Sequence, residues 1–252
     1  MKAMWNSGLV SVSFRKASPE EICKAASAAG LTAIEWGSDV HAPFDASEKL
    51  QDIVRLQELY GIRCSSYGTY FRLGETPLSL LPSYIAAAER LGTQVLRLWC
   101  GDRAADAYTA DEKEALFAIC RAAAKTAEKM GVTLCMECHP NSFTETASGA
   151  AELLAAVPSP AFRMYWQPNQ YHSFEDNMAY AKAVSPYTVN IHVFHWTASA
   201  RLPLADGLPQ WKRYLQAFDK TQTLLLEFMP DDRIDTLPRE AGTLRKLIGG
   251  KE

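Results

Sequence analysis

Helix-like segments and short apolar runs alternate along the chain, and the junctions follow one rule. A helical pattern ends in glycine and an apolar, strand-like run begins at once. The rule holds for AASAAG with LTAIEWG, RLQELYG with IRCSSYG, AAERLG with TQVLRLWCG, and TAEKMG with VTLCMECH. The four glycines are Gly30, Gly61, Gly92 and Gly131, spaced 31, 31 and 39 residues apart. Glycine supplies the left-handed residue that closes a helix, because it carries no Cβ. A period of this size matches one strand–helix unit.

The helix starts agree with this division. Ser18-Pro19-Glu20-Glu21 offers an N-cap serine, a proline in the first turn and an acid at the capping-box position. Asp45-Ala46-Ser47-Glu48 and Thr109-Ala110-Asp111-Glu112 follow the same logic. Each places negative charge where the helix dipole favours it. Between the helices the pattern predicts eight strands, over 8–14, 33–37, 62–67, 94–100, 132–138, 162–167, 189–195 and 223–228. Several are nearly continuous runs of Val, Leu and Ile, as in a parallel sheet buried on both faces. Eight such units predict an α/β fold closed as a single-domain (β/α)8 TIM barrel over residues 1–252. A doubly wound open sheet is the alternative, and it is disfavoured because no GxGxxG or GxxxxGK[ST] follows any strand.

Composition narrows the classes further. The chain has 252 residues, 48% of them hydrophobic, and a formal net charge of -3. Lys and Arg are scattered, which argues against a nucleic-acid partner. No apolar run approaches the roughly 20 residues that span a bilayer, and the start Met1-Lys2-Ala3-Met4-Trp5-Asn6 does not read as a secretory signal. The six cysteines, at 23, 64, 100, 120, 135 and 138, read as reduced core thiols of a cytoplasmic protein. Cys135 and Cys138 have CxxC spacing, but a strand would point them to opposite faces and no second pair follows.

Chemistry is expected at the carboxyl ends of the strands, where barrels of this kind carry their sites. The five histidines crowd there: His41 after strand two, His139 after strand five, His172 after strand six, and His192 and His195 at strand seven. Glu35, Glu137 and Glu227 end strands two, five and eight. A glutamate closing a run such as Thr223-Leu224-Leu225-Leu226-Glu227 is costly to bury without a partner. Alternation along a strand groups Thr133, Cys135 and Glu137 on one face, Arg163, Tyr165 and Gln167 on another, and Thr223, Leu225 and Glu227 on a third. His192 and His195 diverge if the strand runs through both. His192 lies at the depth of Glu137 and Glu227, so it is the one expected to join them. Glu137, Gln167, His192 and Glu227 together suit a divalent Mg, Mn, Co or Zn ion. A hydrogen-bonded polar layer without metal fits the same residues.

At these positions the chain resembles the xylose isomerase-like barrel superfamily of sugar isomerases and epimerases, which also includes AP endonuclease-like proteins. The resemblance rests on CMECHPNSFTET after strand five, VNIHVFHW on strand seven, PLADGLPQW in the following loop and LLLEF on strand eight. It implies that Glu137, His192 and Glu227 hold a metal ion together with an acid on strand six. Here Gln167 stands in place of that aspartate and brings no negative charge. His195 departs too, since relatives often carry an acid there.

The resemblance further implies that Glu137 and Glu227 exchange a proton with a carbon beside a substrate carbonyl, the developing enediolate being stabilised by the ion. Trp36, Arg97, Trp99, His139, Trp166 and His195 are the candidate substrate contacts, with Glu35 and His41 ranked below them and His172 read as a loop residue. The expected activity is a metal-assisted sugar isomerase or epimerase on a small carbohydrate or polyol, working as a monomer or small homo-oligomer. A keto-polyol dehydratase and a non-catalytic sugar-binding barrel are the alternatives on the same scaffold. A DNA-repair endonuclease is disfavoured, because Ser65-Ser66-Tyr67-Gly68 on strand three offers no histidine and the chain is acidic.

Overall fold

The computed structural model describes residues 5–219 and 221–249. Eight parallel strands close into a barrel: β1 (Asn6–Val10), β2 (Ala33–Gly37), β3 (Arg63–Leu73), β4 (Val95–Cys100), β5 (Thr133–Glu137), β6 (Phe162–Trp166), β7 (Thr188–Val193) and β8 (Thr223–Leu226). β1 pairs with β8, Gly8 opposite Leu225, and this closes the ring. The helices α1 (Pro19–Ala28), α2 (Ser47–Tyr60), α3 (Leu81–Arg90), α4 (Ala110–Met130), α5 (Ala147–Ala156), α6 (Phe174–Val184), α7 (Leu208–Tyr214) and α8 (Leu237–Leu247) follow the strands in turn.

Strand alternation divides the apolar residues between two cores. Leu9, Ile34, Leu134, Met136, Leu224 and Leu226 point outward and pack under the helices. Val10, Cys135, Tyr165 and Leu225 point inward and fill the barrel with Val12. A continuous apolar run thus serves both sides of one strand.

The four glycines that mark the repeat have φ of 72°, 65°, 83° and 68°, the left-handed values expected after a helix. Capping boxes form at Ser18 with Glu21 and at Thr109 with Glu112. The third expected cap does not form: α2 is preceded by Ala46, which has no side chain to offer.

Three strand ends also differ from expectation. β1 stops at Val10, and Ser11–Phe14 form a 3-10 turn held where Ser11 Oγ accepts the Gly37 amide at 2.9 Å. β3 runs on to Leu73, with a register shift against β4 between Gly68 and Arg72. β7 ends at Val193, so His195 lies outside the barrel, in a short antiparallel ribbon of His195–Trp196 with Arg201–Leu202.

Every cysteine is unpaired and buried. Among the described residues, no helix is long and apolar enough to cross a membrane.

Candidate active site

Four strand ends bring one donor each to the barrel axis. His192 Nδ1 lies 3.2 Å from Glu137 Oε1, 3.1 Å from Gln167 Oε1 and 3.6 Å from Glu227 Oε2. Donor atoms of Glu137, His192 and Glu227 all fall within 4.8 Å of one another. Glu137 and His192 sit on the inner parity of β5 and β7. Gln167 and Glu227 follow the last residues of β6 and β8, and the Glu227 amide still donates to Val193 O at 3.0 Å. The set is almost sealed: His192 is 0% exposed, Glu137 3%, Gln167 7% and Glu227 8%.

Below it lies a second polar layer. Glu35 Oε1 is 3.4 Å from His192 Nε2 and 3.5 Å from Arg97 Nε. Its Oε2 accepts from Ser66 Oγ at 2.9 Å, which in turn accepts from Tyr165 Oη at 2.6 Å, and Asn190 Nδ2 donates to that phenol at 2.5 Å. Gly68 makes room for this arrangement, since a Cβ there would stand 2.6 Å from Glu35 Oε1 and 3.2 Å from Arg97 Nη2.

Arg97 bridges the layers. Its Nη1 approaches Glu137 Oε2 to 3.0 Å, and Trp99 Nε1 donates to the same oxygen at 2.5 Å. Glu137 is therefore held by Oε2, with Oε1 turned towards His192. The contacts of Arg97 Nη1 with Glu137 and of His192 Nε2 with Glu35 are ion-pair contacts, because neither nitrogen has a partner in hydrogen-bond geometry.

Three buried carboxylates here face two cationic groups, and the balance sets each charge. Burial raises the Glu137 carboxyl, but the charge of Arg97 and the contact with His192 outweigh it and hold it well below the usual range. Glu35 is likewise lowered to about 2, burial being overcome by the charge and close contact of His192 and the charge of Arg97. Glu227 has a weaker counterion, with His192 Nδ1 3.6 Å away and, among the described residues, no arginine in contact. Burial pushes it up to about 7, with His192 opposing and Glu137 adding to the rise. Burial would lower His192, yet the charges of Glu227 and Glu35 hold it well above its ordinary value.

The donor set fits a divalent cation. Two carboxylate oxygens, an amide oxygen and an imidazole nitrogen converge in a buried space, and the carboxylates outnumber the cations. Nδ1 is the imidazole atom that faces the oxygens, and Glu35 occupies the far side of the ring, as a carboxylate orienting a metal-bound histidine does.

The remaining sequence candidates separate into two groups. Trp99 and His139 pack together half-buried, their rings tilted with centroids 5.1 Å apart. Arg97 lies in the cluster, where its charge is spent on Glu35 and Glu137. His195 lies in the ribbon above, its ring against Gly207, and burial lowers its pKa. Trp36 and Trp166 are not in the site. Trp36 is 0% exposed and donates to Gln57 of α2 at 2.8 Å. Trp166 packs outward against Trp211, Tyr214 and Phe218. Parity explains both, since Trp36 follows the inward Glu35 and Trp166 falls between the inward Tyr165 and Gln167. His41 also faces away, with its Nδ1 3.0 Å from Ser11 Oγ, and His172 is exposed on a loop.

Glu35, Ser66, Tyr165 and Asn190 are what the sequence reading undervalued or missed. The available signal was Arg97: an arginine inside a buried strand requires a buried carboxylate, and Glu35 on β2 supplies one. Phe228 was missed too. It follows Glu227 with φ of 52°, an outlier for a bulky residue. Ser13 Oγ, which accepts its amide at 2.8 Å, and the Trp196 ring, 5.4 Å away, hold it there.

Comparison with known proteins agrees with this fold. Residues 23–247 match the family described as xylose isomerase-like TIM barrel, and the chain belongs to it. No curated protein sequence matches. Among solved structures, the probable 3-DHS dehydratase AsbF of Bacillus anthracis superposes with a TM-score of 0.80 at 17% identity, covering 96% of this chain and 98% of that one. D-psicose 3-epimerase of Clostridium cellulolyticum H10 gives 0.70 at 14% identity, covering 98% and 100%. A xylose isomerase-like TIM barrel protein of Mycobacterium smegmatis, solved in complex with magnesium, gives 0.68 at 12% identity, covering 97% and 96%. At these identities the likeness is one of fold.

Proposed function

We propose that the protein is a metal-assisted sugar epimerase or isomerase in which Glu137 and Glu227 move a proton on and off a carbon beside a carbonyl. One observation carries this reading. The two carboxylates share one buried site, their donor atoms within 4.8 Å of each other and of His192, close enough for both to serve one substrate carbon.

Glu137, kept ionised by Arg97, accepts the proton from the substrate carbon. The electron pair of that C–H bond passes to the carbonyl oxygen as an enediolate, and Glu227 supplies a proton to restore the neutral sugar. Near-complete burial excludes water during the proton transfer, and the two carboxyls exchange their protons with solvent between turnovers. Trp99 steadies Glu137 through Oε2 and leaves Oε1 for the reaction. Glu137, Gln167, His192 and Glu227 would hold the divalent ion, whose chemistry is to polarise the substrate's carbonyl and hydroxyl oxygens. A magnesium complex and a D-psicose 3-epimerase among the structural neighbours support this reading.

The test is deuterium incorporation from D2O into a panel of ketopentoses, ketohexoses and keto-glycosides, followed by NMR. The wild-type protein should label one carbon beside the carbonyl. Glu137→Gln and Glu227→Gln should each abolish labelling while remaining folded by circular dichroism. Full labelling by both variants would end the two-carboxylate mechanism. Loss of a hydroxyl from the product, with or without labelling, would make the protein a dehydratase on the same site.

A further inference from the structure

The three buried carboxylates of the cluster are not held alike. Glu137 is fixed by Arg97 and Trp99, and Glu35 by Ser66 and Arg97. Among the described residues, the Glu227 carboxylate makes one ion-pair contact, its Oε2 3.6 Å from His192 Nδ1, and no side-chain hydrogen bond. Its direction must therefore come from the backbone. Both peptides that flank its Cα are anchored: the Glu227 amide donates to Val193 O of β7 at 3.0 Å, and the Phe228 amide donates to Ser13 Oγ at 2.8 Å. With both planar peptides pinned, the Cα–Cβ bond between them has one direction.

The second anchor is the unusual one. It fixes Phe228 at φ of 52°, where a bulky residue rarely stays unless its surroundings hold it. Ser13 is suited to that task because its own backbone is immobilised. It lies in the 3-10 turn Ser11–Phe14, every residue of which is buried. Ser11 Oγ accepts the Gly37 amide at 2.9 Å and so ties the turn to the end of β2. Val12 packs against the same glycine, where any Cβ would collide with it. On the other side, the Arg201 guanidinium lies 4.4 Å from the centroid of the Phe228 ring. The turn after β1 thus braces the chain just past β8 against the end of β2.

We infer that Ser13 is a positioning residue for Glu227: its hydroxyl oxygen holds Phe228 in the left-handed conformation and thereby aims the Glu227 carboxylate into the site. Without that oxygen the Phe228 amide loses its acceptor, and the residue relaxes towards negative φ. Relaxation turns the peptide between Glu227 and Phe228, and the carboxylate swings with it. The inference rests on the proposed role of Glu227 in proton transfer and adds to it a residue that touches neither substrate nor ion.

Crystal structures and deuterium-exchange kinetics of the full-length Ser13→Ala protein test it. In crystals grown without added metal, the Glu227 carboxylate should move by about 1 Å, a misplacement of the size that can cost roughly 100-fold in rate. Exchange into the sugar that wild type labels should lose at least about tenfold in kcat, with KM within about twofold. Double variants tie the loss to the backbone. Phe228→Gly and Phe228→Ala both remove the ring and set their own baselines, but only glycine takes positive φ without strain. Adding Ser13→Ala should cost about tenfold on the alanine baseline and less than about twofold on the glycine baseline, each protein being checked for folding by circular dichroism. Equal losses on the two baselines, a rise in KM alone, or a Glu227 unmoved in Ser13→Ala crystals would overturn the inference and leave the proton-transfer chemistry standing. If wild type labels no sugar, that chemistry falls, and the crystals decide the positioning role by themselves. A carboxylate displaced in Ser13→Ala and returned in Ser13→Ala/Phe228→Gly supports it, and one that stays in place overturns it.

Discussion

Glu35 Oε1 stands 3.4 Å from His192 Nε2, on the side of the imidazole opposite Glu137, Gln167 and Glu227. The contact turns Nδ1 towards the site and fixes which nitrogen can serve a metal. Glu35→Gln keeps the shape and removes the charge. It should weaken divalent-ion affinity roughly 10–100-fold, the usual cost of losing such a partner, without unfolding the barrel. Competition with a fluorescent chelator measures this, and unchanged affinity would show that Glu35 serves only Arg97. Glu35→Ala should do more harm, because Arg97 would lose a buried partner at a cost of about 3–5 kcal/mol.

Gln167 is the neutral member of an otherwise charged donor set. Gln167→Asp adds a carboxylate near His192 Nδ1 and should tighten divalent-ion binding at least about tenfold. The same substitution should lower the melting temperature of chelator-treated protein, since a fourth buried carboxylate then goes uncompensated. Opposite shifts with and without ion are the signature to look for in paired melting curves. A shift of one sign in both states would mean that residue 167 lies outside the ion's reach.

The buried charges also give the chelated protein a definite pH profile. The Glu227 carboxyl is held at about 7 in the folded chain against an ordinary 4.5, so its contribution is full below pH 4.5 and lost as pH rises to 7. His192 is also raised, and its contribution begins to fall above pH 6.5. Glu35, lowered to about 2, acts in the other direction: its contribution is full above pH 4.5 and lost as pH falls through 2. Melting temperature should therefore peak near pH 5 and decline towards pH 8. In Glu227→Gln the decline between pH 5 and 7 should flatten. An identical decline in wild type and variant would assign it to other groups. Added divalent ion should stabilise more as pH rises, since it replaces protons at the same atoms.

The barrel was legible because its signals are local and repeated. A glycine after each of four helices, followed at once by an apolar run, needs no knowledge of the tertiary structure. Glu137, Gln167, His192 and Glu227 were legible for a related reason, since polar residues closing buried strands stand out against their neighbours. Trp36 and Trp166 were misread because the eye takes a tryptophan at a strand end as a platform. Parity, applied to the pocket candidates as it was to the ligands, turns both outward. The role of Glu35 lay deeper. It depends on Arg97, 62 positions away, crossing from β4 to meet β2, and only the closed ring brings those strands' side chains into one layer. The left-handed Phe228 was not legible, because nothing in a phenylalanine announces a positive φ.

Glu137, Gln167, His192 and Glu227 are proposed to meet at one ion. Crystals of the protein grown with manganese and measured above and below the manganese absorption edge test that directly. A single strong anomalous peak should appear bounded by Glu137, Gln167, His192 Nδ1 and Glu227, with Glu35 on the far side of the imidazole. A site that stays free of anomalous signal at saturating manganese, with the carboxylates still paired to His192 and Arg97, would contradict it.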